Sequence, residues 1–153
     1  MTAICLLDTS IFVEILNVPR MAAHHEETLA ELEAKIIARE SLFLPMATIL
    51  ESGNHIGQNG DGRERRSCAN RFISQLTDAL AGSSPFKSIS FLQKEELKEW
   101  LAEFPDHACR GSGLGDLSII HDWQRLCAQN VARRVYIWSL DAHLASFDQT
   151  PRI

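Results

Sequence analysis

Apolar residues follow two rhythms along this chain. Residues 3–7 (AICLL) form a short continuous apolar run that stops at Asp8, as a parallel strand buried on both faces does. A helix is predicted from Ser10 to about Leu16, ended by Pro19. Leu29, Leu32 and Ile36 recur at helical spacing within 25–39, with Glu26, Glu27, Glu31 and Glu33 between them. Residues 42–44 (LFL) read as a second strand stopped by Pro45, and Thr48 to about His55 as a short helix. Residues 53–62 (GNHIGQNGDG) hold four glycines and two asparagines and read as a loop. Ala69, Phe72, Ile73, Leu76 and Leu80 then mark an amphipathic helix broken by GSSP at 82–85. FKSISF (86–91) alternates like a strand, and Leu97, Trp100, Leu101 and Phe104 mark another helix. RGSGLG (110–115) reads as a second glycine-rich loop. Ile120, Trp123 and Cys127 lie on one face of the helix after it, and VYIWSL (135–140) is a last strand ending at Asp141. Strands alternate with helices, which predicts an α/β fold with a mainly parallel sheet in a single domain over 1–153.

Composition narrows this picture only a little. Hydrophobic residues make up 45% and charged residues 23%, as in an ordinary globular domain. No apolar run reaches the length of a membrane span, and MTAICLLDTS lacks the basic start of a secretory signal, so a cytoplasmic protein with no membrane partner is expected. Cys5, Cys68, Cys109 and Cys127 form no CxxC pair; Cys5 and Cys127 read as reduced, packed thiols. The net charge of −5 argues at first against a nucleic-acid partner. Setting four clustered carboxylates aside would bring it to −1, and Arg63, Arg65, Arg66 and Arg71 gather in one stretch.

The carboxylates carry the chemistry. Ligands of open parallel sheets bind at the carboxyl ends of the strands. Asp8 ends the first strand and Asp141 the last, while Glu51 and Asp116 stand near the starts of helices facing the same edge. Carboxylates gathered this way repel one another unless a cation holds them, and an all-oxygen set suits Mg²⁺ or Mn²⁺. Each acid also has a plainer role open to it. Asp8 can cap the helix after it, and Glu51 lies three residues after Thr48, the spacing of a capping box. Asp116 can complement a helix dipole, and Asp141 can cap a short C-terminal helix. Asp122 and Asp148 are spare acids; Asp148 replaces or assists Asp141 if the last strand is shifted in register. His121 reads as packed rather than catalytic.

Four segments resemble the PIN-domain family, and especially its VapC-type ribonuclease toxins. LLDTSIFVEIL is similar to the family's first motif, ATILESGNHI to the second, GLGDLSIIHDW to the third and WSLDAHLASFD to the fourth. In order and rough spacing they cover nearly the whole chain. The resemblance implies a three-layer α/β/α sandwich around a mainly parallel sheet of about five strands. It implies Mg²⁺- or Mn²⁺-dependent hydrolysis of RNA leaving a 5′-phosphate, often by a toxin silenced by a cognate antitoxin and commonly as a homodimer. On this chain Asp8, Glu51, Asp116 and Asp141 would hold metal, with Ser10 and Ser139 as supporting hydroxyls. Asn54 would contact a phosphate or orient Glu51. The 53–66 stretch departs from the family in its glycines and arginines. Arg63, Arg65 and Arg66 there either grip the RNA backbone or form a solvated loop.

Two rivals stand beside this expectation. One is a non-catalytic PIN-like module that docks RNA or protein. The other is a phosphatase-like enzyme with Asp8 as nucleophile, which lacks the usual Asp-x-Asp because Ser10 stands in the second place.

Overall fold

The computed structural model describes residues 1–88 and 93–152. Its five strands are β1 (Ile4–Leu7), β2 (Ser41–Leu44), β3 (Phe86–Ser88), β4 (Val135–Trp138) and β5 (Asp148–Gln149). Seven helices lie among the described residues: α1 (Thr9–Ile15), α2 (His25–Ile37), α3 (Met46–Gln58), α4 (Gly62–Ala81), α5 (Lys94–Cys109), α6 (Leu114–Gln129) and α7 (Ala142–Ala145). The strand order is β3-β2-β1-β4-β5. The first four strands are parallel, and β5 closes the edge antiparallel to β4.

The continuous apolar runs are explained by burial on both sheet faces. Cys5 and Leu7 of β1 point to one core with Phe12, Leu32, Leu42, Leu44, Ile56 and Cys68. Ile4 and Leu6 point to the other, with Ile119, Ile120, Val135, Ile137 and Leu144. Helices thus cover both faces, an arrangement compatible with a three-layer sandwich. No helix among the described residues is long and apolar enough to cross a membrane.

The fold departs from the sequence expectations at three places. Residues 53–58, expected as loop, continue α3. Ile49 and Ile56 anchor that helix to the core, and Gly53 passes beside Phe72 of α4. This packing outweighs a glycine cost of about 1 kcal/mol per position. The loop shrinks to 59–61, where Gly60 takes φ 82° and Asp61 opens α4 with a capping box to Glu64. Likewise the second glycine-rich loop is only 110–113, because Gly115 is already helical. The third departure is β5, too short to show an alternation. Of the expected strand 86–91, β3 covers 86–88, and residues 89–91 lie outside the described residues.

Candidate active site

Register brings the first pair of site residues together. Leu7 of β1 pairs with Trp138 of β4, so Asp8 and Ser139 leave neighbouring strands side by side. The Asp8 backbone N–H donates to the Trp138 carbonyl at 3.0 Å. Asp8 is 9% exposed, and its carboxylate makes no side-chain cap to α1 although Asp8 stands at the N-cap position. Oδ2 instead accepts from the Ser139 hydroxyl at 2.7 Å and the Ser10 hydroxyl at 3.0 Å. The same two serines accept the backbone N–H groups of Asp141 and Leu140. They therefore orient Asp8 through one oxygen and tie the β4–α7 turn to α1.

Glu51 faces this pair from α3. The capping-box alternative does not hold, because α3 begins at Met46 after Pro45 and Thr48 lies inside its first turn. The Thr48 hydroxyl donates to the Leu7 carbonyl at 2.7 Å, pinning α3 to the end of β1. Glu51 Oε2 accepts from the Thr9 hydroxyl at 3.0 Å. Its other oxygen lies against Gly115: a Cβ built on that glycine would stand 1.9 Å from Oε1. The Glu51 carboxylate can keep this position against α6 only because residue 115 has no side chain.

Asp116 lies in the first turn of α6 and takes the backbone N–H of Gly113. Asp141 does cap α7, accepting from the His143 and Leu144 N–H groups through Oδ1. A monodentate cap leaves the second oxygen for other work. Asp148 is not beside them. It sits on β5 opposite Tyr136, paired with Arg134 at 2.8 Å, toward the end of β4 away from Asp141. Asp122 is buried on α6 and paired with Arg125 at 3.1 Å.

The four acids act on one another electrostatically. Burial pushes the Glu51 pKa up, Thr9 pulls it down, and the charges of Asp8 and Asp116 push it up further. Burial also raises Asp116, aided by the charges of Asp8 and Asp141 and opposed by the Gly113 N–H and His143. The set is therefore a linked patch of negative charge, but it is not a closed cage. Among the described residues no three His, Cys, Asp or Glu side chains stand close enough together to hold a metal ion. Separate local hydrogen bonds hold each acid: the serines on Asp8, Thr9 on Glu51, Gly113 on Asp116 and the α7 N–H groups on Asp141. The donor chemistry, all carboxylate oxygen, still fits a hard divalent cation, and the mutual repulsion is what such a cation relieves.

Two hollows flank the acids. Asp116 and Asp141 line a cavity of about 480 Å³ with His107, Arg110, Ser112 and His143. Glu51 and Gly115 border an apolar one of about 280 Å³ with Leu50, Leu97, Trp100 and Leu114. Asn54 is exposed one helical turn beyond Glu51. The expected RNA-gripping arginines lie elsewhere. Arg63, Arg65 and Arg66 are exposed on the first turns of α4, not in a loop. With Phe72 level with Gly53, they sit about 12 to 17 Å down the α3–α4 hairpin from Glu51 at 1.5 Å per residue. His121 is packed as expected, bonded to Glu103 at 3.1 Å beside Trp100. Sequence reasoning passed over Thr9, Gly115 and Arg110. Only Thr9 carried a signal, as the hydroxyl adjoining Asp8 in DTS. No protein-family model matches the chain, and no curated protein or solved structure matches it.

Proposed function

We propose that the protein is a divalent-metal-dependent endoribonuclease, with Asp8, Glu51, Asp116 and Asp141 as the residues that would hold Mg²⁺ or Mn²⁺. What supports this reading is the placement of these four acids, just after β1, on α3, in the first turn of α6 and in the β4–α7 turn, with Asp8 and Glu51 held by Ser139 and Thr9, Glu51 against Gly115, and Asp116 and Asp141 lining one cavity. A divalent cation bound there supplies a lowered water pKa and charge neutralisation on a phosphodiester. The chain's own residues supply placement. Ser10 and Ser139 fix Asp8 through Oδ2 and leave Oδ1 free of them. Thr9 holds Glu51 across from it, and Gly115 leaves room for that carboxylate. PIN-like membership, a toxin role with a cognate antitoxin, and a homodimer rest on the resemblance of the four sequence motifs. RNA cleavage in Mg²⁺ and Mn²⁺ by wild-type protein, lost in Asp8→Asn and Asp116→Asn, is the expected result. Equal cleavage by wild type and Asp8→Asn would sink the proposal.

A second reading is favoured by one observation, the open spacing of the acids among the described residues. On it, the protein is a PIN-like module that binds RNA or protein without cutting. Calorimetry with Mn²⁺ separates the two. Heat of binding lost in Asp116→Asn supports the nuclease, whereas intact RNA binding with no Mn²⁺ binding supports the module.

A further inference from the structure

A nuclease that gathers four carboxylates must also attract a polyanion, so cations are needed close to the acids. Arg71, Arg125, Arg133 and Arg134 are engaged in structural contacts, with Leu16, Glu96, Thr2 and Asp148 respectively. Arg63, Arg65 and Arg66 are remote on α4. Arg110 differs from both groups: it forms no ion pair among the described residues, and it lines the 480 Å³ cavity shared by Asp116 and Asp141.

Arg110 stands at the C-cap of α5. The end of α5 is closed by Gly111 at φ 79°, whose N–H donates to the Ala108 carbonyl at 3.0 Å. The Ser112 N–H donates to the His107 carbonyl at 2.9 Å. These bonds satisfy two of the last carbonyls of α5. His107 lies one turn back along α5, on the same cavity wall. His143 faces it from α7, braced edge-on against Phe147 with ring centroids 5.5 Å apart. Ser112 adds an independent observation. It lines the same cavity, and its hydroxyl is shielded from solvent with no hydrogen-bond partner among the described residues. An unsatisfied hydroxyl costs about 1–3 kcal/mol, which a bonding partner at this position would relieve.

We infer that this cavity is a phosphate subsite: Arg110, with His107, His143 and the Ser112 hydroxyl, holds a backbone phosphate of the RNA strand next to the one at the carboxylates. The inference rests on the ribonuclease reading for its ligand. Arginine is the suitable cation because its planar fork pairs two phosphate oxygens at once. The apolar hollow on the other flank, beside Trp100, suits an uncharged group and not a phosphate.

The test measures fluorescence anisotropy of a labelled single-stranded RNA oligonucleotide in Mg²⁺. Asp8→Asn protein serves as the parent so that the RNA stays intact. Adding Arg110→Gln is expected to weaken binding about tenfold and to lower the slope of log affinity against log salt by about 0.7, one phosphate contact on a single strand. Arg110→Lys, which keeps the charge, is expected to restore the slope; a slope that stays low would overturn the phosphate assignment. The combined Arg63→Gln, Arg65→Gln and Arg66→Gln variant is expected to lose less affinity than Arg110→Gln alone. Unchanged affinity and slope in Arg110→Gln would overturn the inference while leaving the nuclease reading standing. Wild-type protein that neither binds nor cleaves RNA in Mg²⁺ or Mn²⁺ would overturn both.

Discussion

Gly115→Ala separates site geometry from fold stability in a single methyl group. The added Cβ would lie 1.9 Å from Glu51 Oε1 and 3.0 Å from Cδ. Ordinary contact between a carbon and an oxygen begins near 3.4 Å, so the carboxylate must retreat by about 1.5 Å. It is the free end of a flexible side chain, and the helix need not move. The retreat strains the Thr9 hydrogen bond at 3.0 Å, a loss of about 1 kcal/mol. Alanine inside α6 returns about the same amount through helix propensity. Net stability should therefore change by less than about 1 kcal/mol, read by urea unfolding of the metal-free protein. Function should not escape so lightly, because misplacing a reacting group by about 1 Å typically lowers rate about 10²-fold. RNA cleavage in Mn²⁺ is the assay, with Mn²⁺ affinity measured by calorimetry alongside it. A Gly115→Ala protein that folds normally and keeps wild-type cleavage and Mn²⁺ affinity would refute the placement of Glu51 in the site.

Ser139→Ala removes the 2.7 Å bond to Asp8 and the acceptor for the Asp141 N–H; Mn²⁺ affinity should fall about 10- to 100-fold, and an unchanged calorimetric titration would count against the orienting role. Mn²⁺ at about a hundred times its dissociation constant should stabilise the wild type by about 2.7 kcal/mol, seen as a raised melting temperature, and Asp116→Asn should abolish the shift. Asp122 gives a pH signature independent of metal. Burial, opposed by Arg125, helped by Glu96 and opposed by His121, raises its pKa from 3.8 to about 6. The folded state then binds this proton more tightly than the unfolded one. Its stabilising contribution is full below pH 3.8 and is lost as pH rises through about 6, an effect of at most about 3 kcal/mol. Asp122→Asn should flatten the difference in urea-unfolding free energy between pH 5 and pH 7.5; an unaltered difference would show that Asp122 titrates normally. Glu51 and Asp116, also raised, add to the same fall in stability with rising pH in metal-free protein.

Much of the sheet was legible because burial on both faces leaves a mark in one dimension. AICLL and VYIW are apolar at every position since alternate residues feed two different cores. The same logic fails where glycine is used for contact instead of for turning. Gly53 and Gly57 look like loop residues, yet both sit inside α3, where Gly53 packs beside Phe72, a contact made across 19 positions of sequence. Gly115 was read as loop for the same reason. What excludes a side chain there is Glu51, which no local pattern relates to it. β5 was illegible because two residues cannot establish an alternation; the Arg134–Asp148 pair and two rungs of ladder hold it.

The acids show why capping chemistry and site chemistry are hard to tell apart in a sequence. Asp8 was a plausible cap by residue type, but its side chain makes no cap bond because two serines claim the same oxygen. One of those serines is 131 residues away, so strand register decided the matter. Asp141 is a cap, and that does not remove it from the site. The helix N–H groups take Oδ1, and the charge of Asp141 still acts on Asp116. Capping and ligation compete only when they need the same oxygen, and a carboxylate has two. Position at the carboxyl edge of the sheet therefore says more about an acid than its capping role does. By the same reasoning Asp148, at the other end of β4, drops out despite lying in the fourth motif. Arg110 could not be found this way, since it follows no strand. It lines the cavity of Asp116 and Asp141 because α5 packs on α6 and ends at the turn that starts α6, three residues before Gly113. A cation on the wall of that cavity is thus placed by helix length and helix packing, which sequence periodicity reports only as a stripe of Leu97, Trp100 and Phe104.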